Sequence, residues 1–152
     1  MNDVMDALAG IAPGSPLAAL RAQRPEVVRN MQATDEAVFA PKNDGGFTPP
    51  ERAVAALRIA TLLGDKTLEK HYRERLAAFG STEPLASARG AAILAHVERL
   101  TRDPDSATKA NIDGLLAAGL SPHAVLSLSQ LIAYVNFQSR VLAGLRMLGD
   151  AS

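Results

Sequence analysis

Ser121 to Gly149, SPHAVLSLSQLIAYVNFQSRVLAGLRMLG, is the longest helical pattern in the chain, and both of its ends are marked. Ser121 is placed to accept hydrogen bonds from the first free amides of a helix. Pro122 suits the first helical position, where its missing N–H costs nothing. Gly149 is suited to the left-handed conformation that closes a helix. Val125, Leu128, Ile132, Val135, Leu142 and Leu145 recur at three-, four- or seven-residue spacings and predict one buried face. Ser129, Asn136, Gln138, Ser139 and Arg140 interrupt that run and predict a polar stripe near its middle.

Working back from this element, the rest of the chain is punctuated in the same way. Asp105 to Gly119 holds a short helix with Ile112, Leu115 and Leu116 apolar. A long helix opens at Pro84 and ends at Asp103-Pro104. In Thr48–Gly64, Thr48 and Glu51 have capping-box spacing, with Pro49 in the first turn. Ala53, Val54, Leu57, Ala60, Thr61 and Gly64 are expected to face one way. Asp65 caps a following helix that ends at Gly80, with Lys66, Glu69, Lys70, Arg73 and Glu74 on a solvated face.

Residues 40–47, APKNDGGF, form the clear loop. Before it lie three helices: residues 3–9 ending at Gly10, one started by Ser15-Pro16, and one from Pro25 with Val27, Met31, Thr34 and Val38 as its stripe. No segment alternates as a strand does. The expectation is an all-α fold of six to eight helices. Residues 1–46 form a helical arm on the main body, 47–152, or on a neighbouring subunit.

Composition limits the chemistry. The 16 basic and 16 acidic residues cancel, so no broad attraction for nucleic acid or an anionic membrane is expected, and self-association is allowed. There is no cysteine, which excludes disulfides, thiolate ligands and a thiol nucleophile on this chain. The start, MNDVMDALAGIAPGS, lacks the basic-then-apolar pattern of a secretory leader. No stretch reaches the roughly 20 apolar residues that span a bilayer. A cytoplasmic location is expected.

Two regions together resemble a known family. TPPERAVAALRIATLLGD at 48–65 resembles the helix leading into the active site of alkylhydroperoxidase D-like proteins, the carboxymuconolactone decarboxylase (CMD) superfamily. LTRDP at 100–104, GLSPHAV at 119–125 and IAYVNFQSRVLAGL at 132–145 resemble the later part of its peroxidase-related branch. The resemblance implies a helical domain over about residues 47–148 whose protomers associate through helices, as dimers to hexamers. It also implies antioxidant peroxidase chemistry carried by Glu, eleven residues, Cys, two residues, Cys, three residues, His. In that register the acid position falls on Ala53, the cysteine positions on Asp65 and Leu68, and the histidine position on Tyr72. Glu51 lies two residues from the acid position, a rotation of roughly 200° on a helix. A thiolate must attack the peroxide and a second thiol must resolve the sulfenic acid. This chain therefore resembles a cysteine-less member: a non-peroxidatic oligomeric partner of itself or of a cysteine-containing relative, or a small-molecule binder, without a cofactor.

Decarboxylases of the same superfamily work without the cysteine pair, so a cofactor-independent lyase is the alternative. It would use His71 as acid or base and a nearby arginine, Arg58 or Arg73, for a substrate carboxylate. Equally, His71 and its charged neighbours form a solvated helix face, and Tyr72 is a half-buried packing residue whose hydroxyl reaches water. His71 and Glu74 share a helical face, but no third ligand lies nearby in sequence, so no metal site is expected. His96 and His123 read as structural or exposed. Tyr134, Asn136, Ser139 and Arg140 form either a network tying the last helix to its neighbours or subunits, or a pocket wall. Arg58 joins them as a pocket or interface candidate.

Overall fold

The computed structural model describes residues 3–80 and 86–150. Among these residues the chain is all helical: α1 (Val4–Ala9), α2 (Pro16–Ala22), α3 (Pro25–Phe39), α4 (Pro49–Leu63), α5 (Lys66–Ala77), α6 (Ala88–Arg102), α7 (Lys109–Ala117) and α8 (Pro122–Asp150), with a 3₁₀ turn at Pro104–Ser106. The helix start expected at Pro84 lies outside the described residues; the visible helix is capped by Ser87, which accepts from the Gly90 amide.

The starts follow local chemistry. Ser15, Asp65 and Ser121 each accept from an amide of the turn that follows, and Thr48 and Glu51 form the complete capping box. Gly10 and Gly64 close α1 and α4 with φ of +69°, a conformation that costs a side-chain-bearing residue about 1 kcal/mol or more.

α4 lies at the centre, packed by α5, α6, α8 and α3. Its first two turns are buried on nearly every side, from Glu51 to Ala56. Farther on, the buried face runs through Ile59 and Ala60, while Thr61 and Gly64, expected on it, are exposed. Small alanines let α5 and α8 approach the α4 backbone closely. α8 supplies the expected wall: Val125, Leu128, Ile132, Val135 and Leu142 are buried and Leu145 partly so. Leu128, Leu131 and Leu142 are fully shielded, each contributing about 1.5–3 kcal/mol.

Residues before the 40–47 loop share this core, since Met5 and Phe39 belong to the same buried cluster as α4 and α8. Three sequence expectations are corrected. On α3, Val27 and Thr34 are exposed, and the fully buried positions are Asp35 and Phe39. The apolar stripe misled because the inward face carries a carboxylate whose partners come from α5 and α8. On α5, Glu69 is buried beside Lys66 rather than solvated. At the far end, α8 continues through Gly149 to Asp150, and Gly149 has no left-handed φ.

Candidate functional site

Two regions concentrate polar groups: a buried network where α3, α5 and α8 meet, and a groove between α3 and α8. The network is built on Asp35, which is 4% exposed. Arg75 Nη2 donates to Asp35 Oδ2 at 3.2 Å and Tyr134 Oη donates to Asp35 Oδ1 at 3.2 Å. Gln138 Nε2 approaches Tyr134 Oη at 3.5 Å, and Gln138 Oε1 accepts from Tyr72 Oη at 2.5 Å. Phe39 packs on Tyr72, with ring centroids 5.3 Å apart, and receives the Arg75 guanidinium 4.1 Å above its ring. Partners of this kind offset most of the cost of burying polar groups.

The expectation for Tyr72 is corrected. It is fully buried and its hydroxyl is spent on Gln138 rather than on water, because one turn of α8 brings that amide over it. Burial, then Tyr134 and Asp35, push the Tyr72 phenol well above its ordinary value of 10.0. Burial and Asp35 likewise raise Tyr134. Neither phenol is an acid–base group near neutrality.

The positions matched to the redox pattern are taken up by packing and capping. Ala53 is buried with Val54 and Leu76 in a small cluster against Leu94. Leu68 lies in the main core, fully shielded. Asp65 caps α5 through the Thr67 and Leu68 amides, and Arg146 of α8 holds both its oxygens at 3.1 and 3.2 Å. Burial alone would raise the Asp65 carboxyl, but Arg146 and the helix amides outweigh it and hold it below 3.8.

The other candidates are dispersed. Arg58 pairs with Glu98 of α6, and Arg73 is exposed. Asn136 Nδ2 donates to Ile132 O of its own helix, Ser139 lies 3.5 Å from Asp65, and Arg140 is exposed. Of the polar set on α8, only Tyr134 and Gln138 enter the buried network. Asp35, Arg75 and Arg146 were absent from the sequence candidates. Asp35 and Arg75 are 40 residues apart, and no local pattern connects them.

His71 is partly buried beside the Tyr72 ring, and its Nε2 has no hydrogen-bond partner. Among the described residues no group of three or more His, Asp or Glu side chains is placed to hold a metal ion. Burial and Arg75 lower the His71 pKa against smaller opposing effects of Asp35 and Glu74; burial and Arg99 lower that of His96. Both therefore lie below the ordinary value of 6.5. A histidine depressed in this way is neutral when folded and binds protons more readily when unfolded. Its stabilising contribution is complete above the unfolded value and is lost as the pH falls below it. The thermal midpoint is expected to hold steady from about pH 7 to 8 and to decline between about pH 6.5 and 5. Replacing both histidines with asparagine should flatten that decline, as read by thermal melts across the range.

The groove is a cavity of about 770 Å³. Ala33 and Ala37 of α3 and Ala133 of α8 leave it open; Tyr134 and Phe137 flank it, and Pro41, Asn43 and His123 border one end. Arg52 lines that end but is committed elsewhere. Its three guanidinium nitrogens donate to the carbonyls of Phe47, Val38 and Asp44 at 2.8, 2.7 and 3.1 Å. The 40–47 loop is also held by Ser121, which donates to Gly45 O, and by Arg89, which donates to Gly46 O and pairs with Glu51. Gly45 has φ +63°, and a Cβ there would stand 2.6 Å from the His123 ring.

No protein-family model matches the chain, and no curated protein does. The crystal structure of an uncharacterized peroxidase-related protein from Silicibacter sp. TM1040 is similar, with a TM-score of 0.74 and 14% sequence identity. The match covers 84% of this chain and 72% of that one. At that identity the likeness shows the fold alone: the all-α arrangement is shared with a peroxidase-related protein and agrees with the alkylhydroperoxidase D-like fold. Among the described residues no helix is long and apolar enough to cross a membrane.

Proposed function

We propose that this chain is a non-peroxidatic protein on an alkylhydroperoxidase D-like (CMD) scaffold, acting in the cytoplasm as an oligomeric partner or small-molecule binder. The observation that carries this reading is the occupancy of the matched redox positions. Leu68 and Ala53 are shielded from water, Tyr72 is bound to Gln138, and Asp65 is engaged by its helix and by Arg146. None is a thiol, and peroxide attack requires one.

The test is turnover of an organic hydroperoxide by the purified chain with a thiol reductant. The expected rate is that of the protein-free blank, and sustained turnover would overturn the reading. Exposed apolar side chains away from the groove, Leu126 at 58% and Met147 at 74%, support association with further copies or a cysteine-containing relative. Light scattering at micromolar concentration that finds only monomer would remove the homo-oligomer.

The lyase alternative draws on the unpartnered Nε2 of His71. Its candidate cations are weakly placed for that role: Arg75, one turn away, is paired with Asp35, Arg58 is paired with Glu98, and Arg73 is exposed. The non-catalytic reading is the better supported.

A further inference from the structure

We propose that the α3/α8 groove binds an uncharged, partly aromatic small molecule. This rests on the ligand-binding reading above and supplies its site and the chemical class of the ligand. The cavity, about 770 Å³, lies within the range of about 300–1,000 Å³ typical of small-molecule sites. Alanines at positions 33, 37 and 133 line it with small side chains. Phe137, 47% exposed, presents ring surface beside the edge of the buried Tyr134.

The polar groups set the ligand's charge. Asn30, Ser127 and Gln130 line the groove, and among the described residues their side chains make no hydrogen bond within the protein. They offer neutral donors and acceptors. The one permanently charged lining residue, Arg52, has each of its three guanidinium nitrogens bound to a backbone carbonyl. No aspartate, glutamate or lysine lines the cavity. A carboxylate or phosphate would lose its hydration there and meet only Arg52, already tied to three carbonyls, whereas an uncharged ring with a hydroxyl or amide finds matching groups in Asn30, Ser127 and Gln130. The end wall is preformed, because Arg52, Arg89 and Ser121 fasten the 40–47 loop, so little ordering cost opposes binding.

The test titrates the full chain with N-phenyl-1-naphthylamine, an uncharged probe whose emission rises on leaving water, and with its sulfonated analogue, 8-anilinonaphthalene-1-sulfonate. The neutral probe is expected to saturate a single site and to bind at least about tenfold more tightly than the anion. Ala133→Trp should abolish that saturable signal; position 133 is exposed, so the fold is not burdened. Ala37→Phe, also at an exposed position, serves if the first variant fails to fold. Equal or tighter binding of the anion, no saturable binding, or undiminished binding in the folded variants would each overturn the proposal. So would a wild-type dimer that Ala133→Trp splits into monomers, since the groove would then be covered by a second copy. Hydroperoxide turnover would overturn the non-peroxidatic reading while leaving the groove result standing, so the two failures are distinguishable.

Discussion

Arg52→Met is expected to destabilise the protein by about 3 kcal/mol or more, lowering the thermal midpoint by roughly 10 °C. Arg52 is only 2% exposed, and its guanidinium is shared among three carbonyls that close the α3–α4 connection. Methionine fills much of the volume but leaves those carbonyls without their charged donor, and hydrogen bonds to charged groups contribute about 1.5–3 kcal/mol each. It also removes the cation stacked 4.6 Å above the Phe47 ring. Arg52→Lys keeps the charge but cannot span three divergent acceptors, so it should recover only part of the loss. Urea melts of the three proteins test this ordering. A lysine variant as stable as wild type would show that charge, and not the fork of donors, holds the loop.

The second large effect concerns the buried pair of Asp35 and Arg75. Arg75→Met should cost about 3 kcal/mol, and Asp35→Asn less, about 1–2 kcal/mol. The asymmetry follows from exposure. The Asp35 side chain is 5% exposed, so without Arg75 its carboxylate has no counter-charge and little water. The Arg75 side chain is 30% exposed and can turn toward solvent when Asp35 is neutralised, while an asparagine oxygen still accepts from Tyr134. Chemical denaturation of both single variants and the double variant gives the coupling energy. Equal costs, or the reverse order, would show that the network is held from Tyr134 and Gln138 instead.

This network marks the limit of sequence reading. Its members come from α3, α5 and α8, and each looks like something else in isolation. Asp35 lies between the apolar residues of a stripe that proved partly exposed. Arg75 is one charge among several on a polar helix. Gln138 belonged to a stripe that, in three dimensions, divides: Gln138 turns inward, Asn136 satisfies its own helix and Arg140 faces water. A carboxylate can occupy an inward position only when cations and hydroxyls from other elements meet it there, and periodicity cannot register such partners.

The groove was hidden for a related reason. Alanines at 33, 37 and 133 are ordinary helix formers in sequence, and only the tertiary structure brings residues of α3 and α8 together around one cavity.

By itself the sequence determined the helical class, the absence of any thiol, and most helix starts, because caps act through atoms three residues apart. The hydroxyls and carboxylate of Ser15, Thr48, Asp65 and Ser121 each accept a nearby amide as their spacing required. Tertiary structure alone decided which face of α3 turns inward and whether Tyr72 meets water. Those outcomes depend on groups tens of residues away. Arg75 beside Asp35 and Gln138 above Tyr72 settle them through ion pairing and burial, which no local pattern encodes.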